Sequence, residues 1–132
     1  MKLSTGVDLV DIARIRDAID RHGERFVARI FTETEQRECS GRVASLAARF
    51  AAKEATAKAL GCGIGDVGWL EIEVRGDENN APHLYLHGEG QKLAQKLGLS
   101  NWSVSLSHTE SQAIAFVVAV GDSSSRTSVG TV

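Results

Sequence analysis

Two carboxylates stand where apolar side chains belong. The stretch RVASLAARFAAKEATAKAL, residues 42–60, reads as one long helix. At about 100° per residue its apolar side chains Leu46, Ala57, Phe50, Val43, Ala47 and Ala51 fill one arc. Glu54 projects into that arc, roughly 80° from Leu46, and Lys58 follows one turn later on the same side. Arg42, Arg49, Lys53 and Thr56 fall on the opposite face, where a solvated surface is expected. A carboxylate on a core-facing stripe is unfavourable unless a cation, a proton or a metal ion compensates it. The competing account is an ordinary i,i+4 ion pair between Glu54 and Lys58 on a surface face, worth only a few tenths of a kcal/mol.

The second carboxylate is Asp8, which interrupts the apolar run GVDLV near the N-terminus. In a strand of period two, Val7 and Leu9 take one face while Gly6, Asp8 and Val10 take the other. Asp is depleted in strands, so a buried one needs a reason, and Gly6 leaves room for a close approach by backbone or ligand. Asp11, just before an apolar-periodic segment, is expected to cap the helix that starts near Ile12.

Isolated carboxylates on a strand and a helix suit a hard divalent cation. Magnesium commonly takes one or two protein carboxylates, keeps several waters and completes its shell with substrate phosphate oxygens. Lys58 would then hold a phosphate as a point charge, and the glycine-rich GCGIGDVG, residues 61–68, would let backbone approach the ligand. The residues therefore point to Mg²⁺-assisted chemistry on a phosphate or pyrophosphate. A phosphoesterase or pyrophosphatase using water as nucleophile, and a nucleotide-binding or oligomeric module without catalysis, stay open at this point.

The elements that must position these groups can be read along the chain. IARIRDAIDR puts Ile12, Ile15 and Ile19 on one stripe, with Arg14 and Arg21 opposite. TETE, residues 32–35, fits a capping box that opens a short helix. WLEIEVRG alternates Leu70, Ile72 and Val74 against Glu71, Glu73 and Arg75, a half-buried strand with the charges outward. DENNAP is a turn, HLYLH a strand, and GEGQKLAQKLG a short helix with Leu93 and Leu97 inward. NWSVSLSH alternates Trp102, Val104, Leu106 and His108 against serines, whereas AIAFVVAV is apolar throughout and so is expected to be the central strand. His108 by itself reads as a polar group satisfied at a strand end. Mixed helices and antiparallel hairpins make an α+β domain, an antiparallel sheet packed with one long and several short helices.

At 132 residues the chain is expected to be a single domain, residues 1–120, followed by a polar, loosely ordered tail, residues 121–132. A net charge of −2 argues against bulk attraction to nucleic acid or an anionic membrane. Neither a membrane-spanning stretch nor a signal peptide is visible, so a cytoplasmic protein is expected. Cys39 and Cys62 lack the spacing of a zinc or redox motif and read as free thiols. Cys62 lies near the proposed site but has no histidine beside it in sequence, which makes it a weak nucleophile candidate.

GVDLVDIARI, FTETE, ARFAAKEATAKALG, NNAPHLYLHG and SLSHT occur in this order, and together they resemble the holo-[acyl-carrier-protein] synthase family, the short 4′-phosphopantetheinyl transferases. The resemblance spans residues 2 to about 120. It implies the phosphopantetheinyl transferase fold and transfer of 4′-phosphopantetheine from coenzyme A to a serine of apo acyl carrier protein, with release of adenosine 3′,5′-bisphosphate. It implies that Asp8 and Glu54 are Mg²⁺ ligands, that Lys58 contacts coenzyme A phosphate and that His108 lies near those phosphates. Arg49, Phe50 and Gly61 match positions of the coenzyme A cleft. Longer relatives carry a third acidic ligand two residues after the aspartate; here Val10 takes that place, and a water held by the metal or a carboxylate acting through water would accept the serine proton. Because such carriers are acidic, Arg14 and Arg21 become candidates for carrier docking, with Arg14 the leading anchor. The family also implies a homotrimer in which His108 of one chain completes a site with Asp8, Glu54 and Lys58 of its neighbour.

Overall fold

A ten-residue strand, β1 (Lys2–Asp11), opens the chain and runs directly into α1 (Ile12–His22). The computed structural model describes residues 1–122. Two short helices follow, α2 (Glu24–Ile30) and α3 (Glu33–Cys39), then the long α4 (Val43–Ala59). Past a single 3₁₀ turn at Trp69–Glu71 come β2 (Ile72–Gly76), β3 (Pro82–Leu86), α5 (Gly88–Leu97), β4 (Asn101–His108) and β5 (Gln112–Gly121). All strand pairs are antiparallel: β1-β5-β4 form one sheet and β2-β3 a separate hairpin. The expected α+β class and the central place of the apolar last strand are both observed.

β5 is central because both of its faces are apolar. Ala113, Ala115 and Val117 are fully buried in one core with Ala47, Ala51 and Ala55 of α4. Small side chains on both surfaces let helix and sheet approach closely, and the larger Ile12, Ile15, Ile30, Phe31, Leu46 and Phe50 fill the flanks. Each such buried aliphatic or aromatic side chain contributes about 1.5–3 kcal/mol. The outer face of the same sheet carries Leu3, Val7, Leu9, Ile114 and Phe116, all exposed in the single chain.

α4 departs from the one-faced helix that its wheel suggests. Lys53 and Thr56, expected on a solvated face, are completely buried. The helix has β1 and β5 on one side while α1, α3 and β2 cover others, so no whole face remains for water. Thr56 satisfies its hydroxyl on the Ala52 carbonyl at 2.7 Å. Lys53 meets the Glu35 carboxylate at 2.7 Å with both side chains at 0% exposure.

Local expectations fare unevenly. The capping box is present: Thr32 accepts from the Glu35 amide, and Glu35 accepts from the Thr32 amide. Asp11 occupies the N-cap of α1 but makes no side-chain cap. Its carboxylate instead takes the Gln112 amide across the strand pair, and the Ile12 N–H is satisfied by the Ser111 carbonyl. Residues 69–71 turn rather than extend, which leaves Leu70 exposed where an inward position was expected. Glu73, expected outward, is 4% exposed because Thr32, Arg75 and His87 close over it. β5 runs one residue past the expected domain edge at 120, since Gly121 pairs with Lys2; the expected tail from residue 123 on lies outside the described residues. Cys39 and Cys62 are free thiols, as expected.

Candidate functional site

β1 and α4 bring the two anomalous carboxylates together. Gly6, two residues before Asp8, sits so near the helix that a Cβ on it would lie 1.9 Å from the Ala55 carbonyl oxygen. Ser4 donates its hydroxyl to the Ala59 carbonyl farther along the same contact. Just beyond these ties the strand delivers Asp8, half-buried, to the neighbourhood of Glu54 and Lys58. Lys58 Nζ donates to the Val7 carbonyl at 3.0 Å and to Asp8 Oδ1 at 3.2 Å.

Glu54 is half-buried, and its carboxyl is pushed above the usual carboxylate range. Burial is the main cause; the Asp8 carboxylate within hydrogen-bonding reach adds to it, while Arg14 and Lys58 pull the other way. Two carboxylates forced together with cations nearby form a site that favours a further positive charge or a shared proton. The i,i+4 surface pair between Glu54 and Lys58 is not what forms; Lys58 pairs with Asp8 instead.

Arg14, on the exposed side of α1, is also part of this neighbourhood. Its guanidinium lies 5.3 Å from the centroid of Phe50, and Phe50 stacks on Trp69 with centroids 4.8 Å apart. Phe50 is 4% exposed, so its ring is a buried support for Arg14 rather than an open wall of a cleft. Arg21 lies farther along the same helix beside a shallow surface depression shared with Asp11, Arg14, Asp17 and His22.

The other expected residues sit apart from the carboxylates. Arg49 pairs with Glu38 at 3.0 Å, while its Nη1 is buried without a partner. Together with Arg42, Ser45, Gly76, Asp77 and Asn80 it lines a depression of about 480 Å³. Gly61 follows α4 with a φ of 75°, a left-handed conformation that suits glycine, and starts the exposed turn toward Cys62. His108 ends β4, exposed, with its ring against the Thr109 carbonyl. β5 separates β4 from β1, so within one chain His108 and Asp8 occupy opposite edges of the sheet.

A family model for the 4′-phosphopantetheinyl transferase superfamily matches residues 4–117. The chain belongs to the 4′-phosphopantetheinyl transferase superfamily. A holo-[acyl-carrier-protein] synthase of Herpetosiphon aurantiacus is 52% identical over 126 residues, covering 90% of this chain and 99% of that one. Among solved structures, the Helicobacter pylori holo-[acyl-carrier-protein] synthase in complex with coenzyme A superposes with a TM-score of 0.81 at 33% identity, covering 88% of this chain and 99% of that one. The Neisseria meningitidis holo-[acyl-carrier-protein] synthase gives a TM-score of 0.81 at 37% identity, covering 89% and 97%. The resemblance read from GVD, KEA and SHT is thus borne out for family and fold. Among the described residues no helix is long and apolar enough to cross a membrane.

Three features of this phosphopantetheinyl transferase escaped the sequence reading. The Lys53–Glu35 pair needed a partner 18 residues away, the depression lined by Arg42 and Ser45 depends on the β2–β3 hairpin, and Arg14 reaches Glu54's surroundings only through the packing of α1 on α4. Alanines at 47, 48, 51, 52, 55, 57 and 59 of α4 are the signal that could have found the first: small residues around the whole circumference mark a helix packed on every side.

Proposed function

We propose that this chain transfers 4′-phosphopantetheine from coenzyme A to a serine of apo acyl carrier protein in a Mg²⁺-dependent reaction that releases adenosine 3′,5′-bisphosphate. The observation that carries the reading is the convergence of Asp8, Glu54 and Lys58 where β1 meets α4, in a chain matched to the superfamily over residues 4–117. The coenzyme A bound to the Helicobacter pylori relative supports the donor, and the likeness to holo-[acyl-carrier-protein] synthases supports the acceptor.

The donor set fits the metal. Among the described residues no group of three or more His, Cys, Asp or Glu gathers as a protein cage; two neighbouring carboxylates with open access are what Mg²⁺ uses when water and phosphate complete its shell. Asp8 and Glu54 would hold the ion, which when bound neutralises charge on the diphosphate. Lys58, 56% exposed at its side chain, can leave Asp8 to contact a phosphate and stabilise the departing bisphosphate. The carrier serine loses its proton through water to a site carboxylate as its oxygen attacks the pantetheine-bearing phosphorus. The phosphoanhydride bond then breaks and adenosine 3′,5′-bisphosphate leaves. Arg49, with Nη1 unpartnered, and Arg42 suit the depression beside them to an anionic nucleotide.

The same reading includes a homotrimer. Leu3, Val7, Leu9, Ile114 and Phe116 make one exposed apolar sheet face, the kind of surface that association covers. His108, stranded on the far sheet edge from Asp8, would then serve the site of the neighbouring copy. Arg14 and Arg21 would receive the acidic carrier. The domain is taken to end near residue 120, and a cytoplasmic setting follows from its carrier and donor.

The test is to incubate the protein with coenzyme A, Mg²⁺ and apo carrier protein and to weigh the carrier. A gain of one phosphopantetheine that disappears with chelator is expected. Phosphate release without carrier modification would replace transfer by hydrolysis, and neither outcome would leave only binding.

A further inference from the structure

The hairpin strand β2 has a partner strand on one edge only, yet its other edge is not bare. Ile72, Val74 and Gly76 turn their free backbone groups toward α3 and α4, as alternate residues of a strand do. Lys53 Nζ donates to the Ile72 carbonyl at 2.7 Å, Glu35 Oε2 accepts from the Val74 amide at 2.8 Å, and Glu38 Oε1 accepts from the Gly76 amide at 3.0 Å. Charged side chains thus stand in for the missing strand along the whole of β2.

Lys53 is fully committed to this duty. Its three donors go to Ile72, to the Trp69 carbonyl at 2.9 Å and to Glu35 Oε1 at 2.7 Å. At 0% exposure it touches no ligand, although it is adjacent in sequence to Glu54. At the other end of the edge, Glu38 joins Gly76 to Arg49, and Gly76, Asp77 and Asn80 form the wall of the depression that Arg49 lines.

We infer that Lys53 and Glu35 are positioning residues for coenzyme A, fixing the Gly76–Asn80 wall of the Arg49 depression against the helix that carries Glu54 and Lys58. The inference rests on the reading that coenzyme A occupies that depression. Without the pair, the hairpin keeps its apolar packing through Ile72 and Val74 but loses the hydrogen bonds that set its height along α4. A wall displaced by even about 1 Å is enough to weaken binding of a ligand that spans both elements.

Replacing Lys53 alone would leave Glu35 as an uncompensated buried charge, so loss of folding would obscure the result. The informative variant is Lys53→Met with Glu35→Leu, which removes both charges and fills their volume while leaving the Ile72, Trp69 and Val74 groups unheld. Expected is a lowered but still cooperative melting transition, because buried backbone groups lose their partners, with an unchanged KM for apo carrier and a rise of about tenfold in KM and in the calorimetric Kd for coenzyme A at a temperature where the variant is folded. Native affinity for coenzyme A in the double variant overturns the inference, because charge balance would then be the pair's whole role. Should the double variant not fold, Lys53→Met with Glu35→Gln decides, since it leaves no buried charge and keeps an acceptor for the Val74 amide: a rise in the coenzyme A KM without change in the carrier KM supports positioning, and no change overturns it. Arg49→Ala separates this from the parent reading, since undiminished coenzyme A affinity there would remove coenzyme A from the depression and sink both.

Discussion

Gly6 lies against the Ala55 carbonyl so closely that a Cβ at Gly6 would stand 1.9 Å from its oxygen. The contact fixes the spacing between β1 and α4 at the point where Asp8 and Glu54 project from them. Gly6→Ala must therefore push the helix off the strand, and the carboxylates with it. Overpacking of this kind costs about 1–3 kcal/mol, and misplacing reacting groups by about 1 Å costs on the order of 100-fold in rate. Carrier modification should fall by roughly that factor while circular dichroism still reports a folded protein. A folded variant with native turnover would disconnect this contact from the site.

Glu54 is held beside Asp8 at the expense of stability. Its carboxyl is raised in the fold by burial first and by Asp8 second, so the folded state binds protons more tightly than the unfolded one. Stability is then lost as pH rises above the ordinary glutamate value of 4.5, and the penalty is present at neutral pH. Glu54→Gln should melt higher than the native protein in chelator at pH 7, yet lose at least about 1,000-fold of carrier modification in Mg²⁺. Magnesium should raise the melting temperature of the native protein and not that of the variant. If the variant melts lower in chelator, the two carboxylates are not in conflict.

How much of this was legible depended on where the partner of each residue lay. Asp8 and Glu54 were visible because each breaks a local apolar pattern, and the Thr32–Glu35 box because its members are three residues apart. Lys53 was misread because a helical wheel assumes one buried face, whereas sheet and helices surround α4. Glu73 was misread for a similar reason: its alternation is correct for β2, but Thr32, 41 residues earlier, reaches over to cover it. Asp11 shows the opposite error, a residue at the expected helix boundary whose side chain prefers Gln112, a partner delivered by strand pairing.

Glu73 makes a stability prediction with a defined pH window. Despite the opposing desolvation, hydrogen bonds from Thr32, His87 and Arg75 and the Arg75 charge bring its carboxyl from 4.5 down to about 2. A carboxylate with a depressed folded value stabilises the fold fully above its unfolded value and loses that contribution as pH falls toward about 2. The amount is on the order of 3 kcal/mol at neutral pH. Urea denaturation of Glu73→Gln should show a lower midpoint than the native protein at pH 7 and a gap that narrows steadily from about pH 4.5 downward. A gap independent of pH would mean that the carboxylate charge is not what holds the hairpin to α3.

The shared-site trimer predicts complementation between two inactive variants. Asp8→Asn destroys the β1–α4 half of every site and His108→Ala the β4 half. Co-refolded at equal amounts, the two should form mixed trimers in which some sites draw an intact Asp8 from one copy and an intact His108 from the next. Random assembly makes roughly a quarter of sites whole, so activity should recover to about that fraction. Separately purified variants mixed without refolding should recover nothing at first. No recovery in co-refolded trimers, verified by light scattering, would confine each site to one chain.

Arg14 and Arg21 should respond differently to charge reversal although both lie on the exposed side of α1. Arg14 rests near Phe50 and bears electrostatically on Glu54, so Arg14→Glu adds a third negative charge to the carboxylate pair as well as removing a carrier contact. Arg21 lines the same surface depression as Arg14 but is not among the charges that bear on Glu54, so it is expected to act through docking. Arg21→Glu should raise the carrier KM several-fold, with the coenzyme A KM and maximal turnover unchanged. Arg14→Glu should raise the carrier KM and also depress turnover, and high salt should weaken carrier binding by the native protein, because docking of an acidic helix is screened. If Arg21→Glu leaves the carrier KM untouched, the acidic partner does not lie along this helix and the anchor is Arg14 alone.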